Sequence, residues 1–264
     1  MSEATASPHR SDLAPRVMSG AAMLAVALVA IWTGGLAFGL LVAAASMLML
    51  VEWAALIRVE RRELIFALVG LALVLLAGLA QIGDRPWTTV ALALGVVVVT
   101  GVAMRNAELA GGVAYAGLPA LALLAIRSDM DIGFGLTLWT MAVVWATDIG
   151  AFFSGRRFGG LKLAPKISPG KTWAGLLGGM LAAGLVGAAL AIYLVPARNA
   201  CFWLGIPLAV AAQLGDLFES WLKRRVGVKD SGHWIPGHGG VLDRLDGLVP
   251  VALLVALMLA VGAL

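Results

Sequence analysis

The run LIFALVGLALVLLAGLAQI, residues 64–82, carries no charge, and Gln81 is its one polar side chain. The hydrocarbon core of a bilayer is about 30 Å thick and takes about 20 apolar residues of helix to cross. The run has that length. Its glycines, Gly70 and Gly78, are no obstacle, because glycine is common in membrane helices. It reads as a transmembrane helix, and the rest of the chain repeats the pattern.

Outward from this run, eight further apolar stretches have comparable length: 17–33, 35–56, 87–104, 110–126, 132–153, 173–195, 200–221 and 247–264. Two are interrupted, one by Pro119 and one by Pro207 and Asp216. Composition agrees with a membrane protein. Of the 264 residues 61% are hydrophobic and 13% are charged, where a soluble domain has about 25% charged residues. The expectation is an all-α polytopic membrane protein of about nine transmembrane helices with cytoplasmic polar loops. Residues 1–16 form a polar cytoplasmic tail, and 17–264 a single integral membrane catalytic domain with its most distinctive segment at 216–246. The first apolar run is long and eight more follow, which favours an uncleaved anchor over a signal peptide. The single cysteine, Cys201, excludes an internal disulfide and a cysteine-rich metal cluster.

Charge sets the orientation. With the N-terminus in the cytoplasm and nine alternating spans, all of the 19 Lys and Arg except Arg85, Arg127 and Arg198 fall on the cytoplasmic side. That is the positive-inside pattern. The long polar segments 154–172 and 222–246 then share one face of the membrane. The alanine- and glycine-rich composition fits a bacterial inner membrane.

Four carboxylates lie at the inner ends of these spans: Asp148 in VVWATDIGAFF, Asp216 in AAQLGDLFES, and Asp243 and Asp246 before the last apolar run. A charge near the bilayer centre costs about 2.5–3.5 kcal/mol on insertion scales. One such acid could be a snorkelling or helix-capping residue, and Asp243 and Asp246 could open the last helix, where its dipole favours negative charge. Four converging on one face suit a hard cation better. Mg²⁺ takes one or two carboxylates together with substrate phosphate oxygens. Asp243 and Asp246, three apart, would share a helix face.

Cations flank the acids. SWLKRRVGVKD supplies Lys223, Arg224, Arg225 and Lys229, and RRFGGLKLAPKISPGKT supplies Arg156, Arg157, Lys162, Lys166 and Lys171. Basic loops can simply be topogenic and touch anionic headgroups, and Glu219 with Lys223 can be an ordinary i,i+4 pair. Their alternation with Asp, Ser and Gly fits a phosphate-rich substrate, since glycine lets backbone amides approach phosphate oxygens. Two lookalikes fail. SPGKT, 168–172, resembles the tail of a P-loop, but the motif needs Gly where the chain has Pro165. His233 and His238 lie five apart with no cysteine nearby, a poor zinc pair. His238 among Gly237, Gly239 and Gly240 suits a backbone-fixing or phosphate-donating role.

The run SWLKRRVGVKDSGHWIPGHGGVLDRLD, Ser220 to Asp246, resembles the defining segment of the phosphatidate cytidylyltransferases, or CDP-diacylglycerol synthases. It agrees at Ser220, Lys223, Arg224, Lys229, Asp230, Pro236, His238, Gly239, Gly240, Asp243, Arg244 and Asp246. DIGAFFSGRRFGG and ISPGKTWAG resemble the family's second polar region more loosely, with Gly170 where Lys is usual and Ala174 where Glu is usual. The resemblance implies condensation of CTP with phosphatidate to CDP-diacylglycerol and pyrophosphate, dependence on Mg²⁺, a multi-span fold and a homodimer. It leaves a second cation, monovalent or divalent, open. No nucleic-acid partner is expected. Asp216, Asp243 and Asp246, with Asp148, are the expected metal ligands. Lys223, Arg224, Arg244, Lys171, Lys166, Ser220, Gly239 and Gly240 are expected at substrate phosphates, with Lys229 and His238 in the catalytic set.

Other classes compete. A cation-coupled transporter also keeps acids and broken helices in the membrane, but nearer the midplane and with inverted repeats, and no repeat is visible. A related enzyme could activate another lipid phosphate, because nothing in the residues selects cytidine. A CDP-alcohol phosphotransferase is disfavoured, since its Asp-Gly-x-x-Ala-Arg run is absent.

Overall fold

The structure is a computed structural model that describes residues 13–80, 86–196, 199–232 and 239–264. The helices are α1 (Leu13–Thr33), α2 (Gly35–Leu56), α3 (Arg61–Ala80), α4 (Pro86–Ala103), α5 (Ala107–Ser128), α6 (Gly133–Phe158), α7 (Trp173–Leu194), α8 (Cys201–Arg225), α9 (Leu242–Leu245) and α10 (Leu248–Ala260). Among the described residues, α2, α3, α5, α6, α7 and α8 are long and apolar enough to cross a membrane. Met18–Thr33, Thr88–Ala103 and Leu248–Ala260 are shorter apolar helices. The protein is thus an all-α polytopic membrane protein, with one short hairpin among the described residues.

The apolar stretches and the helices agree closely at most boundaries. Two helices overrun. α6 continues to Phe158 and α8 to Arg225, so Arg156, Arg157, Lys223, Arg224 and Arg225 occupy last turns rather than loops. Cations there face the negative end of the helix dipole, and hydropathy falls before helicity does. Pro119 and Pro207 lie inside α5 and α8 without ending either helix, as neighbouring helices in a membrane bundle permit.

α5 is the most enclosed span and packs against α2, α3, α4 and α10. α6, α7 and α8 form a second group, joined to the first through α10 and through packing of α5 on α6. Spacing of small residues explains the second group. Gly175, Gly179, Ala183, Gly187 and Ala191 recur every fourth residue along α7, and all are buried. Such a stripe lets backbones approach closely. A Cβ on Gly179 would lie 2.9 Å from the Thr147 carbonyl oxygen of α6.

The basic segment after α6 folds into an antiparallel pair, β1 (Lys162–Ala164) and β2 (Ser168–Thr172). Pro165 follows Ala164 in the turn, and Ile167 N–H donates to the Ala164 carbonyl at 3.1 Å, a place proline favours. SPGKT is therefore a strand and not a phosphate-cradling loop. Thr172 ends it by capping α7, its Oγ1 accepting from Gly175 N–H at 3.0 Å.

Candidate active site

α8 carries polar side chains at Asp216, Glu219, Ser220 and Lys223, a three-to-four residue spacing that keeps them on one side of a helix. β2 brings Lys171 to this side, and its Nζ lies 2.6 Å from Asp216 Oδ2 and 3.5 Å from the Gln213 carbonyl. Ser220 Oγ donates to Asp216 Oδ1 at 3.3 Å. One turn further, Lys223 Nζ sits between two carboxylates, 2.6 Å from Glu219 Oε2 and 2.7 Å from Asp243 Oδ1.

Asp243 and Asp246 do not open the last long helix together. Asp243 lies in the single turn α9, Asp246 follows that turn, and α10 begins at Leu248. Their surroundings differ. Asp243 accepts from Lys223, from Ser231 N–H at 3.0 Å and from Gly240 N–H at 2.9 Å. Burial works against its charge, but contacts with Glu219 and Lys223 and the Gly240 and Ser231 amides outweigh it. They hold the carboxyl well below the ordinary carboxylate range. A carboxylate has about four lone-pair sites, so these partners take most of its capacity. Asp246 takes one short bond, from Gly247 N–H at 2.7 Å. Burial pushes its carboxyl up, and the charges of Asp216 and Asp148 push the same way.

These groups border a cavity of about 1360 Å³. Asp148, Lys171, Asp216, Asp246 and Arg244 line its polar end. It continues between α1, α2 and α5 past Met23, Phe38, Val42 and Leu123. One space thus joins an acid-and-base end to an apolar end.

The structure gathers Asp148, Asp216, Asp246, Lys171 and Arg244 at this cavity. Lys223 and Asp243 also line it but are engaged with each other. Ser220 is bonded to Asp216 and does not line the cavity. Lys166, Arg224 and Lys229 are exposed and are not part of the cavity wall. Arg224 donates to the Ile167 and Val228 carbonyls, at 3.3 and 3.1 Å. Gly239 has φ +82°, and a Cβ there would meet Asp243 Oδ2 at 2.9 Å. Gly240 is buried. His238 lies outside the described residues.

The sequence reading passed over Glu52. It is the one charged residue in α2, is 1% exposed, and accepts three hydrogen bonds from the segment around Ser231 and Leu242. A lone acid inside an apolar span is itself a signal.

The donor chemistry suits Mg²⁺ in one respect: Asp148, Asp216 and Asp246 offer hard oxygens to a single cavity. Among the described residues no three His, Cys, Asp or Glu side chains form a group able to hold a metal. Mg²⁺ usually takes only one or two protein carboxylates, with phosphate oxygens and water completing its shell.

Fold and cavity define a helical membrane protein with a charged site at one end of an apolar chamber. Residues 14–261 match the family described as the Cytidylyltransferase family. The chain is 41% identical to the phosphatidate cytidylyltransferase of Brucella suis biovar 1 over 258 residues, 96% of this chain and 95% of that protein. It is 47% identical to the phosphatidate cytidylyltransferase of Haemophilus influenzae over 139 residues, 50% of this chain and 48% of that one. Identity to the Pseudomonas aeruginosa phosphatidate cytidylyltransferase is also 47%, over 149 residues and 55% of each chain. The chain belongs to the cytidylyltransferase family.

Proposed function

We propose that the chain condenses CTP with phosphatidate to give CDP-diacylglycerol and pyrophosphate. A phosphatidate oxygen attacks the α-phosphorus of CTP. A new P–O bond forms as the bond from that phosphorus to pyrophosphate breaks. The nucleophile is already ionised near neutral pH, so no strong general base is required. The observation that carries this reading is the cavity: its apolar part between α1, α2 and α5 suits acyl chains, and its polar end suits phosphates.

Each residue then has a task. Lys171 and Arg244 contact phosphate oxygens and offset the repulsion between two anionic substrates. Asp216 and Asp246, with Asp148 beside them, hold Mg²⁺. Bound Mg²⁺ supplies Lewis-acid stabilisation of phosphoryl charge. Lys223 and Asp243 keep the loop before α9 against α8. Lys166, Arg224 and Lys229 serve as an outer basic zone that attracts the nucleotide.

Nine spans follow when α1, α4 and α10 are counted, with the N-terminus and the site in the cytoplasm of a bacterial inner membrane. Support comes from the distribution of Lys and Arg. A cysteine placed at 160 or 229 should react with an impermeant reagent only from the cytoplasm, and one at 84 only from outside. Labelling of 229 from outside would overturn the topology. Assembly as a homodimer rests on the family resemblance.

The direct test is incubation of purified protein in detergent with phosphatidate and each labelled nucleoside triphosphate, with and without Mg²⁺. CDP-lipid should form from CTP and require Mg²⁺. A folded sample that forms no lipid-linked nucleotide would sink the proposal.

A further inference from the structure

We infer that Glu52 is a positioning residue for this reaction: from inside α2 its carboxylate fixes the backbone that carries Asp243, Arg244 and Asp246. The inference rests on the proposed transfer, although its geometry stands apart from it.

Glu52 Oε1 accepts from Val241 N–H at 2.8 Å. Oε2 accepts from Leu242 N–H at 2.7 Å and from the Ser231 hydroxyl at 3.1 Å. The partners lie about 180–190 residues away in sequence. A buried acid in an apolar span is costly unless its oxygens are satisfied. Here three donors satisfy them, all from one segment. The acid would have no comparable reason to stand in α2 without that segment.

Two glycines record the closeness of the fit. A Cβ on Gly232 would lie 2.6 Å from Glu52 Oε1, and one on Gly240 would lie 2.6 Å from Oε2. Neither glycine needs its freedom of φ. A side chain at 232 would press on Glu52, and one at 240 would press on the Ser231 hydroxyl and on Glu52, so either would disturb the carboxylate and its donors. Gly240 thus serves the carboxylate beneath it, where the sequence alone suggested a phosphate. The amides of Val241 and Leu242 are likewise turned to Glu52.

The connection to the cavity is short. Asp243 follows Leu242 directly, and its Oδ2 takes Gly240 N–H. Arg244 and Asp246 follow within the next turn and line the cavity. A displacement of Val241 and Leu242 therefore moves three cavity residues at once. Supporting partners of this kind orient the groups that touch substrate or metal, and their loss typically costs about 10- to 100-fold in activity or affinity.

The test uses the full chain in detergent with phosphatidate and CTP. Glu52→Gln keeps shape and volume but turns an amide donor toward backbone donors. It should lower kcat about 10- to 100-fold, with a smaller rise in KM for phosphatidate because Arg244 rides on the same segment. Hydrogen exchange should quicken at the amides of Val241 and Leu242 and stay unchanged in α6, α7 and α8. Ser231→Ala removes one donor only, and should give a smaller loss with the same pattern, so it tests the idea even where Glu52→Gln does not fold. Wild-type kcat in either folded variant would overturn the inference. So would unaltered exchange at 241 and 242, or quickened exchange throughout the helices with activity lost in step. Failure of the wild-type chain to make CDP-lipid would count against the proposed function, while the exchange pattern would still judge the anchor.

Discussion

The loop into α9 and the β1–β2 hairpin both reach α8, yet they are mounted differently. In the loop, the amides of Ser231, Gly240, Val241 and Leu242 are all bonded to carboxylates, two to Asp243 and two to Glu52. A buried residue of α2 holds it from below. The hairpin is held by its own short ladder, by the Thr172 cap and by the Lys171–Asp216 pair, and Pro169 and Gly170 of β2 are exposed. Asp246, proposed to hold metal, follows a frame in which these four amides are bonded to carboxylates. The base proposed to meet phosphate, Lys171, is itself 14% exposed but follows the open positions Pro169 and Gly170, on a strand with fewer bonds to the rest of the protein. Preorganised groups lower a barrier because they need not move as charge develops. A group on the more lightly bonded hairpin can adjust to an arriving nucleotide and contributes chiefly to binding. The two segments should therefore answer mutation in different kinetic constants.

The largest effect belongs to the acids, and it separates two residues that the sequence makes look alike. Asp246→Asn should fold normally and lose about 100- to 1,000-fold in turnover, with partial recovery at high Mg²⁺. Asp243→Asn should also be nearly inactive but for another reason. It removes one of the two carboxylates around Lys223 and turns an amide toward the Ser231 and Gly240 amides. Breaking a buried pair costs about 3–5 kcal/mol, so this variant alone should show a clearly lowered thermal midpoint. Equal midpoints with equal inactivity would place Asp243 back among the metal ligands.

Lys171→Met is next in size and probes the other side of the comparison. A hydrogen bond to a charged group is worth about 1.5–3 kcal/mol, so KM for CTP should rise about tenfold or more while kcat changes less. A fall in kcat at unchanged KM would mean that the hairpin is as fixed as the loop, and the contrast between the two would fail.

Much of this was legible in the sequence, and the rest was hidden for definable reasons. Apolar length alone located the spans, because the bilayer imposes one dimension on all of them. It could not show that α6 and α8 run on through Arg156, Arg157 and Lys223–Arg225, since hydropathy ends where charge begins while hydrogen bonding does not. The hairpin was hidden because strands of three and five residues leave almost no alternation to read. Asp243 and Asp246 seemed to share one helix face, but the helix there is a single turn, and their environments come from Ser231, Gly240, Lys223 and Asp216, which spacing does not reveal. Glu52 was visible as a lone acid in α2. Its purpose was not, because its donors lie at the other end of the chain.

The smallest effect is expected two residues beyond Lys223. Arg225 lies within 2.5 Å of Glu108 on α5 and beside the Trp221 ring, and both members of the pair are about half exposed. An exposed ion pair is worth about 0–1 kcal/mol, since water screens it and two long side chains must be held in place. Arg225→Ala should therefore cost at most about 1 kcal/mol of stability and leave kcat unchanged. Its KM for CTP is the informative quantity. If Lys171 binds phosphate by direct contact, KM should stay near wild type, because Arg225 is not in the cavity wall. If the basic residues act instead through their summed field, Arg225→Ala should raise KM about as much as Lys171→Met does. That rise should disappear as salt is raised, because fields between exposed charges are screened beyond about 8–10 Å at physiological ionic strength. A salt-sensitive rise in KM would move nucleotide binding from one lysine on the hairpin to the whole basic face.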